Sequence, residues 1–375
     1  MAATETPKLK IALIAEQRST YVKLGYTDEE CAALTHNGEV DAVATALKDL
    51  GHHVTLVPGL QSLAEHLAAG EHKDWNLAFN MAQGFHGNAR EAHVPALLEA
   101  YQVPFTFSDA ATMALCQNKA TTKMILHHYG IPNAPFLVVS GRNASLPRQN
   151  PLLHEYPLFV KPASEGSSKG IDNFNKVANH IELGLAIQKL KARYPSQDIL
   201  VEPFLVGREF TSSSNMRHHR DRRGAEREYP TWETKSSAEC LLHYSDFHDM
   251  DDPSVKAVCQ VALDAWTVLG CRDAGRVDIR FDSDDTDAVP NVLEWRDDQP
   301  SDCINLDGYP EIRGVKSETE GLNSRCGWVI KTFENPGCSG HSRFLDINDY
   351  CQDVPYFGDY KWPPKSFGVF RNGGC

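Results

Sequence analysis

Short apolar runs alternate with helical segments over the first third of the chain. The run at 10–15 has the length of a buried parallel strand. The segment 39–50 follows with apolar residues at helical spacing, and Gly51 stands where a helix-ending glycine belongs. Further strands are predicted at 53–57, 75–80 and 103–107, with a helix over 94–101. This alternation predicts a doubly wound parallel α/β lobe over residues 1–112.

The next segment predicts a smaller α+β lobe over residues 113–212. A long helix is predicted over 109–129, because Gly130 and Pro132 then end the helical pattern. A second helix is predicted over 179–194, with a buried stripe made of Ile181, Leu185 and Leu190. The remaining predicted elements are strands over 135–139, 158–161 and 199–202.

Beyond Glu209 the pattern favours antiparallel strands, and it predicts a C-terminal α+β lobe over 213–330. From about residue 297 the periodicity fades into clusters of Gly, Asn, Asp and Pro, which predicts a divergent, loop-rich tail over 331–375. The predicted elements of this lobe are strands at 228–235, 276–281 and 291–294, and a helix at 254–269.

Charge and composition narrow the classes of function. The chain of 375 residues has 37 Lys and Arg against 50 Asp and Glu, a formal charge of −13, which disfavours binding to nucleic acid and to anionic membranes. The N-terminus lacks the apolar region of a secretory signal, and no apolar run is long enough to span a membrane. The ten cysteines form no C-x-x-C pair, which disfavours structural zinc. A cytoplasmic globular protein is predicted.

A loop of small residues follows a strand at 159–170, in the sequence FVKPASEGSSKG. The strand delivers Lys161, and the loop can present Glu165, Ser167, Ser168 and several backbone N–H groups. Such a loop suits a polyphosphate, although it is not a G-x-x-x-x-G-K-[ST] motif. An ordinary surface turn is the alternative interpretation.

Two further lysines stand at places where they could meet the same phosphates. Lys119 lies at the start of the second lobe, and Lys235 lies in the third. With Lys161 they could each contact a phosphate oxygen as a point charge. Taken singly, each is also explained as a solvated lysine.

Glu202 and Glu209 lie in a segment where a strand runs into a connector and back. Backbone groups at Pro203 and Leu205 could face an adenine edge, and the carboxylates could accept from an exocyclic amine and a ribose diol. This arrangement suits a purine nucleotide. A surface loop with two incidental acids is the alternative.

Asp278 and Glu294 each project from a largely apolar predicted strand. Burying unpaired carboxylates costs several kcal/mol, so two that converge imply a cation, and hard oxygen ligands imply Mg²⁺. Arg276 shares a strand face with Asp278 and could stabilise developing negative charge. An ion pair between Arg276 and one of the acids is the alternative.

Taken together, these motifs resemble the ATP-grasp superfamily and, within it, the D-Ala-D-Ala ligase branch. The resemblance runs from about residue 10 to 294 and depends on the order of the motifs. In order they are GYTDE at 25–29, FNMAQG at 79–84 with Arg90-Glu91, VPALL at 94–98, Lys119, VKP at 160–162 with EGSS at 165–168, Glu202 and Glu209, Lys235, RVD at 276–278, and Glu294.

The resemblance implies a three-lobed fold whose two α+β lobes enclose ATP, and it implies a role for each motif. Lys119, Lys161 and Lys235 would contact phosphates, with Glu165, Ser167 and Ser168 in a lid loop. Glu202, Leu205 and Glu209 would hold the adenosine. Asp278 and Glu294 would bind Mg²⁺, or Mn²⁺, while Arg276 would face the transferring phosphoryl group and Glu29 would receive the amino group of the first substrate. A homodimer is the family expectation.

The sequence departs from the family pattern after the metal glutamate. Arg296 stands where the family has an asparagine ligand, and the Pro-Gly turn that follows there is missing. A shifted turn could let Asp297 or Asp298 supply the ligand. The chain could also be a non-catalytic nucleotide-binding relative, or the segment after about 295 could differ from the natural one.

The leading hypothesis is a Mg-ATP-dependent ligase that joins the carboxyl and amino groups of small amino-acid-like substrates through an acyl phosphate. A nucleotide-binding protein without ligase activity is the contrasting hypothesis. ATP-grasp carboxylation is a third, disfavoured because the segment 25–29 resembles the amino-acid ligases. A ligase of secondary metabolism, rather than one acting on D-alanine, stays open.

Overall fold

A computed structural model describes residues 8–140, 150–212, 252–284 and 288–293 with their side chains. It describes only the backbone of several further strands. The helices are α1 Arg18–Lys23, α2 Asn37–Asp49, α3 Gly59–Ala69, α4 His93–Ala100, α5 Ala110–Gln117, α6 Lys119–His128, α7 His180–Arg193 and α8 Pro253–Leu269. The strands are β1 Lys10–Ile14, β2 His53–Val57, β3 Leu77–Asn80, β4 Leu137–Val139, β5 Leu158–Pro162, β6 Lys176–Val177, β7 Ile199–Pro203, β8 Glu209–Ser213, β9 His219–Arg222, β10 Tyr244–Phe247, β11 Arg276–Phe281, β12 Pro290–Arg296, β13 Cys303–Ile304, β14 Val315–Lys316, β15 Trp328–Asn335, β16 Ser339–Asp346 and β17 Ser366–Arg371.

The N-terminal sheet is parallel, with the strand order β2-β1-β3. Ile11 and Leu13 of β1 pack with α2 on one face, and Ala12 and Ile14 pack with α3 and α4 on the other. Helices therefore cover both faces, which confirms the doubly wound lobe. The strand predicted at 103–107 is reduced to a single bridge, between Phe105 and Ala78.

The central sheet is antiparallel, in the order β4-β7-β5-β6, and α7 packs on it. The predicted stripe of α7 is wrong at two of its three positions, because Ile181 and Leu185 are 64% and 53% exposed. The buried residues at helical spacing are Leu183, Ala186, Ile187 and Leu190. Leu190 belongs to both the predicted and the observed apolar stripe. Both stripes have helical spacing and apolar residues, so the sequence pattern does not distinguish which face of the helix is buried.

The single helix predicted over 109–129 is two helices, α5 and α6. Asn118 between them has an extended backbone, with φ −94° and ψ 101°, and its side chain accepts from the backbone N–H of Thr121. Asparagine favours this N-cap position because its oxygen satisfies an amide that the helix leaves unpaired. Both helices contribute to the core around α8, through Cys116 and Leu126.

The C-terminal sheet runs β10-β9-β8-β11-β12 and is antiparallel throughout. Asp278 on β11 is the register partner of Glu294 on β12 and of Thr211 on β8. The pairing of β11 with β12 has a register irregularity directly after Asp278, next to the predicted metal position. The strand predicted at 228–235, with Lys235, lies outside the described residues.

The last part of the chain contains strands that the sequence pattern does not predict. β15 pairs with β16 and with β17 in a three-stranded antiparallel sheet, although this segment was predicted to be rich in loops. Among the described residues, no helix has the length and apolar character needed to cross a membrane.

Candidate active site

One pocket collects most of the side chains that the sequence singled out. It lies between the central and C-terminal sheets, where β5 and β7 face β11. The predicted residues that line it are Lys119, Lys161, Glu165, Ser168, Glu202, Leu205, Glu209 and Asp278. Among these predicted residues, Lys119 and Asp278 are 159 positions apart in the chain and line the same cleft.

Glu202 lies at the buried wall of this pocket between two lysines. Its Oε1 is 2.5 Å from Lys161 Nζ, and its Oε2 is 3.0 Å from Lys123 Nζ. Burial by itself would raise the pKa of Glu202, but the two ammonium groups outweigh burial and lower that pKa to about 2. Both oxygens of this glutamate, expected to face adenine, are thus engaged by lysines.

The loop after β5 is shaped by two residues with left-handed backbones. Ser167 and Ser168 have φ values of 52° and 59°, a region that L-residues seldom adopt. Ser168 lines the pocket. Lys119 Nζ donates to the Glu165 carbonyl oxygen at 2.5 Å, so the first residue of α6 ties the loop down. The loop therefore borders the pocket and is held to α6 through the Glu165 carbonyl.

Glu165 links this loop to the N-terminal lobe. Its carboxylate is 3.2 Å from Arg90 and 3.1 Å from Lys169, and Gln197 also donates to it. Burial acts to raise the pKa of Glu165, but Arg90 and Lys169 prevail, and the pKa is lowered. The sequence predicted Glu165 as a loop residue, and the structure shows it as an anchor of that loop.

The connector between the two sheets supplies the outer wall. Leu205 and Glu209 line the pocket, and Glu209 is 3.4 Å from Arg280. Gly207 donates to the Phe281 carbonyl, and a Cβ at this glycine would lie 2.2 Å from the Ser283 carbonyl oxygen. Glycine is thus required where the connector approaches β11, and this approach fixes Leu205 and Glu209 at the cleft.

Asp278 offers oxygen ligands at the far end of the pocket. Its carboxylate accepts from Thr211 Oγ1 at 2.8 Å and from Arg276 at 3.2 Å. Glu294 is placed opposite it by strand register, and its side chain lies outside the described residues. Two carboxylates at register-paired positions are a donor set of the type that Mg²⁺ takes, so the residues fit a divalent cation in kind. The ion pair with Arg276, the alternative raised from sequence, is also present.

Glu29 occupies a different environment from the one expected. Its carboxylate pairs with Arg193 of α7, and Arg193 also pairs with Asp172 at 2.8 Å. Lys169 of the lid loop donates to the carbonyl of Glu30 at 3.3 Å. The segment predicted to receive a substrate amine therefore contacts the central lobe, so Glu29 is not an open acceptor in this structure.

Three charged residues at or next to the pocket were not predicted from the sequence: Lys123, Lys169 and Arg280. In the sequence, Lys123 looks like any polar residue of a helix. The one feature that could have indicated it is its spacing of four from Lys119, which places both lysines on one face of α6. From the sequence, Arg280 is an ordinary strand residue. It stands two positions after Asp278 on β11, so both lie on the same face of the strand, and both line the pocket. Lys235, by contrast, was predicted and lies outside the described residues.

The arrangement of the lobes is that of the ATP-grasp fold. The chain aligns with the D-alanine–D-alanine ligase of Bacillus anthracis in its complex with ATP at a TM-score of 0.59 and 18% identity, covering 78% of this chain and 87% of that one. The ligase from Coxiella burnetii aligns at a TM-score of 0.57 and 20% identity, covering 79% of this chain and 86% of that one.

Sequence comparison then identifies the family. Residues 125–292 match the family model described as D-ala D-ala ligase C-terminus. The D-alanine–D-alanine ligase of Marinomonas sp. is 31% identical over 254 residues, which are 64% of this chain and 74% of that protein. The ligase of Xylella fastidiosa is 29% identical over 240 residues, 63% of this chain and 76% of that protein. The chain belongs to the D-alanine–D-alanine ligase family, and the family match ends two residues before Glu294.

Proposed function

We propose that the protein is an ADP-forming ligase that uses Mg-ATP to join the carboxyl group of one small amino-acid-like substrate to the amino group of another. The observation that supports this most directly is the convergence of Lys119, Lys161, Glu209 and Asp278 on one pocket between two α+β lobes. Cations for phosphates, a carboxylate for ribose and an oxygen ligand for a cation are what Mg-ATP requires.

The nucleotide would lie along the cleft from the connector to β11. Leu205 and Glu209 would hold the adenosine end, and Glu202 would border the adenine while fixing Lys161. Lys119, Lys161 and the loop at Ser167 and Ser168 would contact the phosphates. Lys235 is proposed to reach the same phosphates from the third lobe, on the resemblance alone.

The metal end of the pocket would neutralise charge on the transferring group. Asp278 and Glu294 would hold Mg²⁺ or Mn²⁺, which when bound supplies charge stabilisation at the phosphate oxygens. Arg276 contacts Asp278 and directs a guanidinium to the same region, where it would stabilise negative charge that develops during transfer.

The proposed reaction has two displacements. A carboxylate oxygen of the first substrate attacks the γ-phosphorus, the bond to the β-phosphate oxygen breaks, and ADP leaves. The amine of the second substrate then attacks the acyl carbon, loses a proton, and expels phosphate to give an amide. The lid loop, anchored through Glu165, would exclude water from the acyl phosphate.

The test is Mg-ATP-dependent phosphate release by the purified full-length chain, screened against D- and L-amino acids, with product masses recorded. We expect release that requires an amino acid and yields an amide. Lys161→Ala should abolish release, whereas Lys48→Ala, at an exposed position of α2, should not change it. Amino-acid-dependent turnover that persists in Lys161→Ala would overturn the assigned mechanism.

A second candidate function is nucleotide binding without ligation. The observation in its favour is Arg296, which stands where the family has a ligand asparagine and is the register partner of Arg276. A cation cannot serve as a metal ligand. This candidate predicts measurable ADP binding with no phosphate release for any amino acid, and Arg296→Asn would then be expected to restore release.

A further inference from the structure

The pocket wall contains a buried trio of charges that the family resemblance did not assign. Lys123, Glu202 and Lys161 form one line, with Glu202 in the middle at 3.0 Å and 2.5 Å from the two ammonium groups. The side chains of Lys123 and Glu202 are 2% and 4% exposed, whereas Lys161 is 11% exposed and lines the main pocket. The trio therefore has one open end, at Lys161.

The charges of the trio do not cancel. A lysine that is paired one-to-one with a buried glutamate presents no net charge to a polyanion. Here two lysines share one carboxylate, so the trio has a formal charge of +1. Because Lys123 is the enclosed member and Lys161 the open one, the uncompensated positive charge is presented on the pocket side.

Within the described part of the chain, Glu202 is the acid within ion-pair distance of Lys123. Lys123 also lines a small cavity whose lining includes the apolar Leu126, Val292 and Leu293. The Phe136 ring centroid lies 5.6 Å from Lys123 Nζ. Burying a lysine this deeply lowers the stability of the fold unless its ammonium group is paired with an acid, because burial penalises the charged form.

We infer that Lys123 is a positioning residue for nucleotide binding. It neutralises Glu202 from behind, which leaves the charge of Lys161 available to the phosphates and holds Glu202 against Lys161. This inference rests on the proposed nucleotide site and adds to it a residue that touches neither nucleotide nor metal. Helix α6 supplies Lys123 to the trio and, one turn earlier, Lys119 to the pocket, whereas Lys161 and Glu202 come from β5 and β7.

The pKa of Lys123 supports its pairing with Glu202. Desolvation lowers the pKa of Lys123, and the Glu202 carboxylate opposes that effect. Removal of Glu202 would leave Lys123 as an isolated buried charge, and removal of Lys123 would leave Glu202 with Lys161 alone, so single variants affect stability as well as binding. A test must separate these two effects.

The experiment measures MgADP affinity by titration calorimetry, with thermal stability recorded for every variant. Lys123→Met keeps the length of the stem and removes the charge, and we expect it to weaken MgADP binding about tenfold. The double variant Lys123→Met with Glu202→Gln removes both buried charges and restores the trio to +1. We expect it to bind MgADP more tightly than Lys123→Met does, because Glu202 no longer cancels the charge of Lys161. Lys48→Met changes net charge equally at an exposed position and is the control.

The outcomes distinguish the inference from the proposed function. A natural chain that does not bind MgADP would overturn both. A natural chain that binds, with Lys123→Met binding equally well, would overturn the role of Lys123 alone. Equally weak binding by the single and the double variant would assign Lys123 a purely structural role, which also overturns the inference. If Lys123→Met does not fold, Lys123→Arg decides: it keeps the charge and is expected to bind MgADP like the natural chain, and about tenfold weaker binding by this folded variant would overturn the inference.

Discussion

Gly84 lies where the backbone passes close to the segment that carries Arg90. It has φ +63°, and a Cβ at this position would lie 2.3 Å from the Arg90 carbonyl oxygen. Its N–H also donates to the buried Glu16 carboxylate at 3.1 Å. Any side chain here must displace the segment that carries Arg90.

We therefore expect Gly84→Ala to lower the free energy of unfolding by about 3 kcal/mol, from left-handed strain together with overpacking. Gly70→Ala is the matched control, because Gly70 has φ +77° and nothing within 4 Å of the added carbon. It should cost about 1 kcal/mol. Urea unfolding of both variants measures the difference, and equal losses would contradict the clash with Arg90.

Glu202 predicts a pH dependence whose sign follows from its lowered pKa. The folded pKa is about 2, below the ordinary value near 4.3 for an unfolded chain, so its stabilising contribution is complete above the unfolded value and disappears as pH falls toward 2. Glu202→Gln should cost about 3–5 kcal/mol at pH 7, because Lys123 loses its partner. The difference in melting temperature between the natural chain and Glu202→Gln should shrink between pH 5 and pH 3. A difference that stays constant over that range would contradict the lowered pKa.

At the scale of elements, the break between α5 and α6 sets the position of Lys119. Asn118 caps α6 by accepting from Thr121, and the Lys119 amide donates to the Ala163 carbonyl at 2.9 Å. Asn118→Ala should cost about 1 kcal/mol of stability and weaken MgADP binding severalfold, because the helix start that holds Lys119 becomes looser. Asn179→Ala removes the corresponding cap of α7 and should cost similar stability with MgADP affinity unchanged. Unchanged affinity in both variants would show that the cap does not position Lys119.

The elements also show how far the sequence could lead. The strands β1 and β11 could be predicted from the sequence. β1 is buried on both faces and is a continuous apolar run, whereas β11 is buried at alternate residues and alternates apolar with polar positions. The break at Asn118 was not, because the apolar periodicity continues through it and only the capping preference of asparagine marks it. Lys119, Lys161 and Asp278 were found by their motifs, whereas Lys123 has no motif and acquires its meaning only from the distance to Glu202.

Contacts between distant segments were the least predictable part of the site. Glu29 and Arg193 are 164 residues apart, and nothing local in either sequence indicates the partner. The same holds at the other lobe joint, where Arg272 donates to the Phe107 carbonyl at 2.6 Å and Asp273 accepts from the Phe107 amide at 2.6 Å. Such pairs depend on how the lobes dock, which local periodicity does not encode.

At the scale of the whole molecule, two ion pairs between described residues join the N-terminal lobe to the central lobe, and they differ in burial. Arg90 and Glu165 are 5% and 6% exposed, and Arg90 also donates to the Ser164 carbonyl at 3.2 Å. Arg193 and Glu29 are 34% and 27% exposed. Water screens the second pair, so its net contribution is at most about 1 kcal/mol, whereas removing one member of the first leaves a buried charge.

Arg90→Met should therefore destabilise the protein by about 3–5 kcal/mol and release the lid loop at 163–171 from the N-terminal lobe, while Arg193→Met should cost at most about 1 kcal/mol. Hydrogen exchange at the loop, measured beside thermal unfolding, separates the two effects. Exchange should accelerate in Arg90→Met well below its melting temperature and change little in Arg193→Met, because Arg90 still holds Glu165 when only the exposed pair is lost. Faster exchange in Arg193→Met than in Arg90→Met would contradict this ranking and mean that the exposed pair holds the loop against the N-terminal lobe.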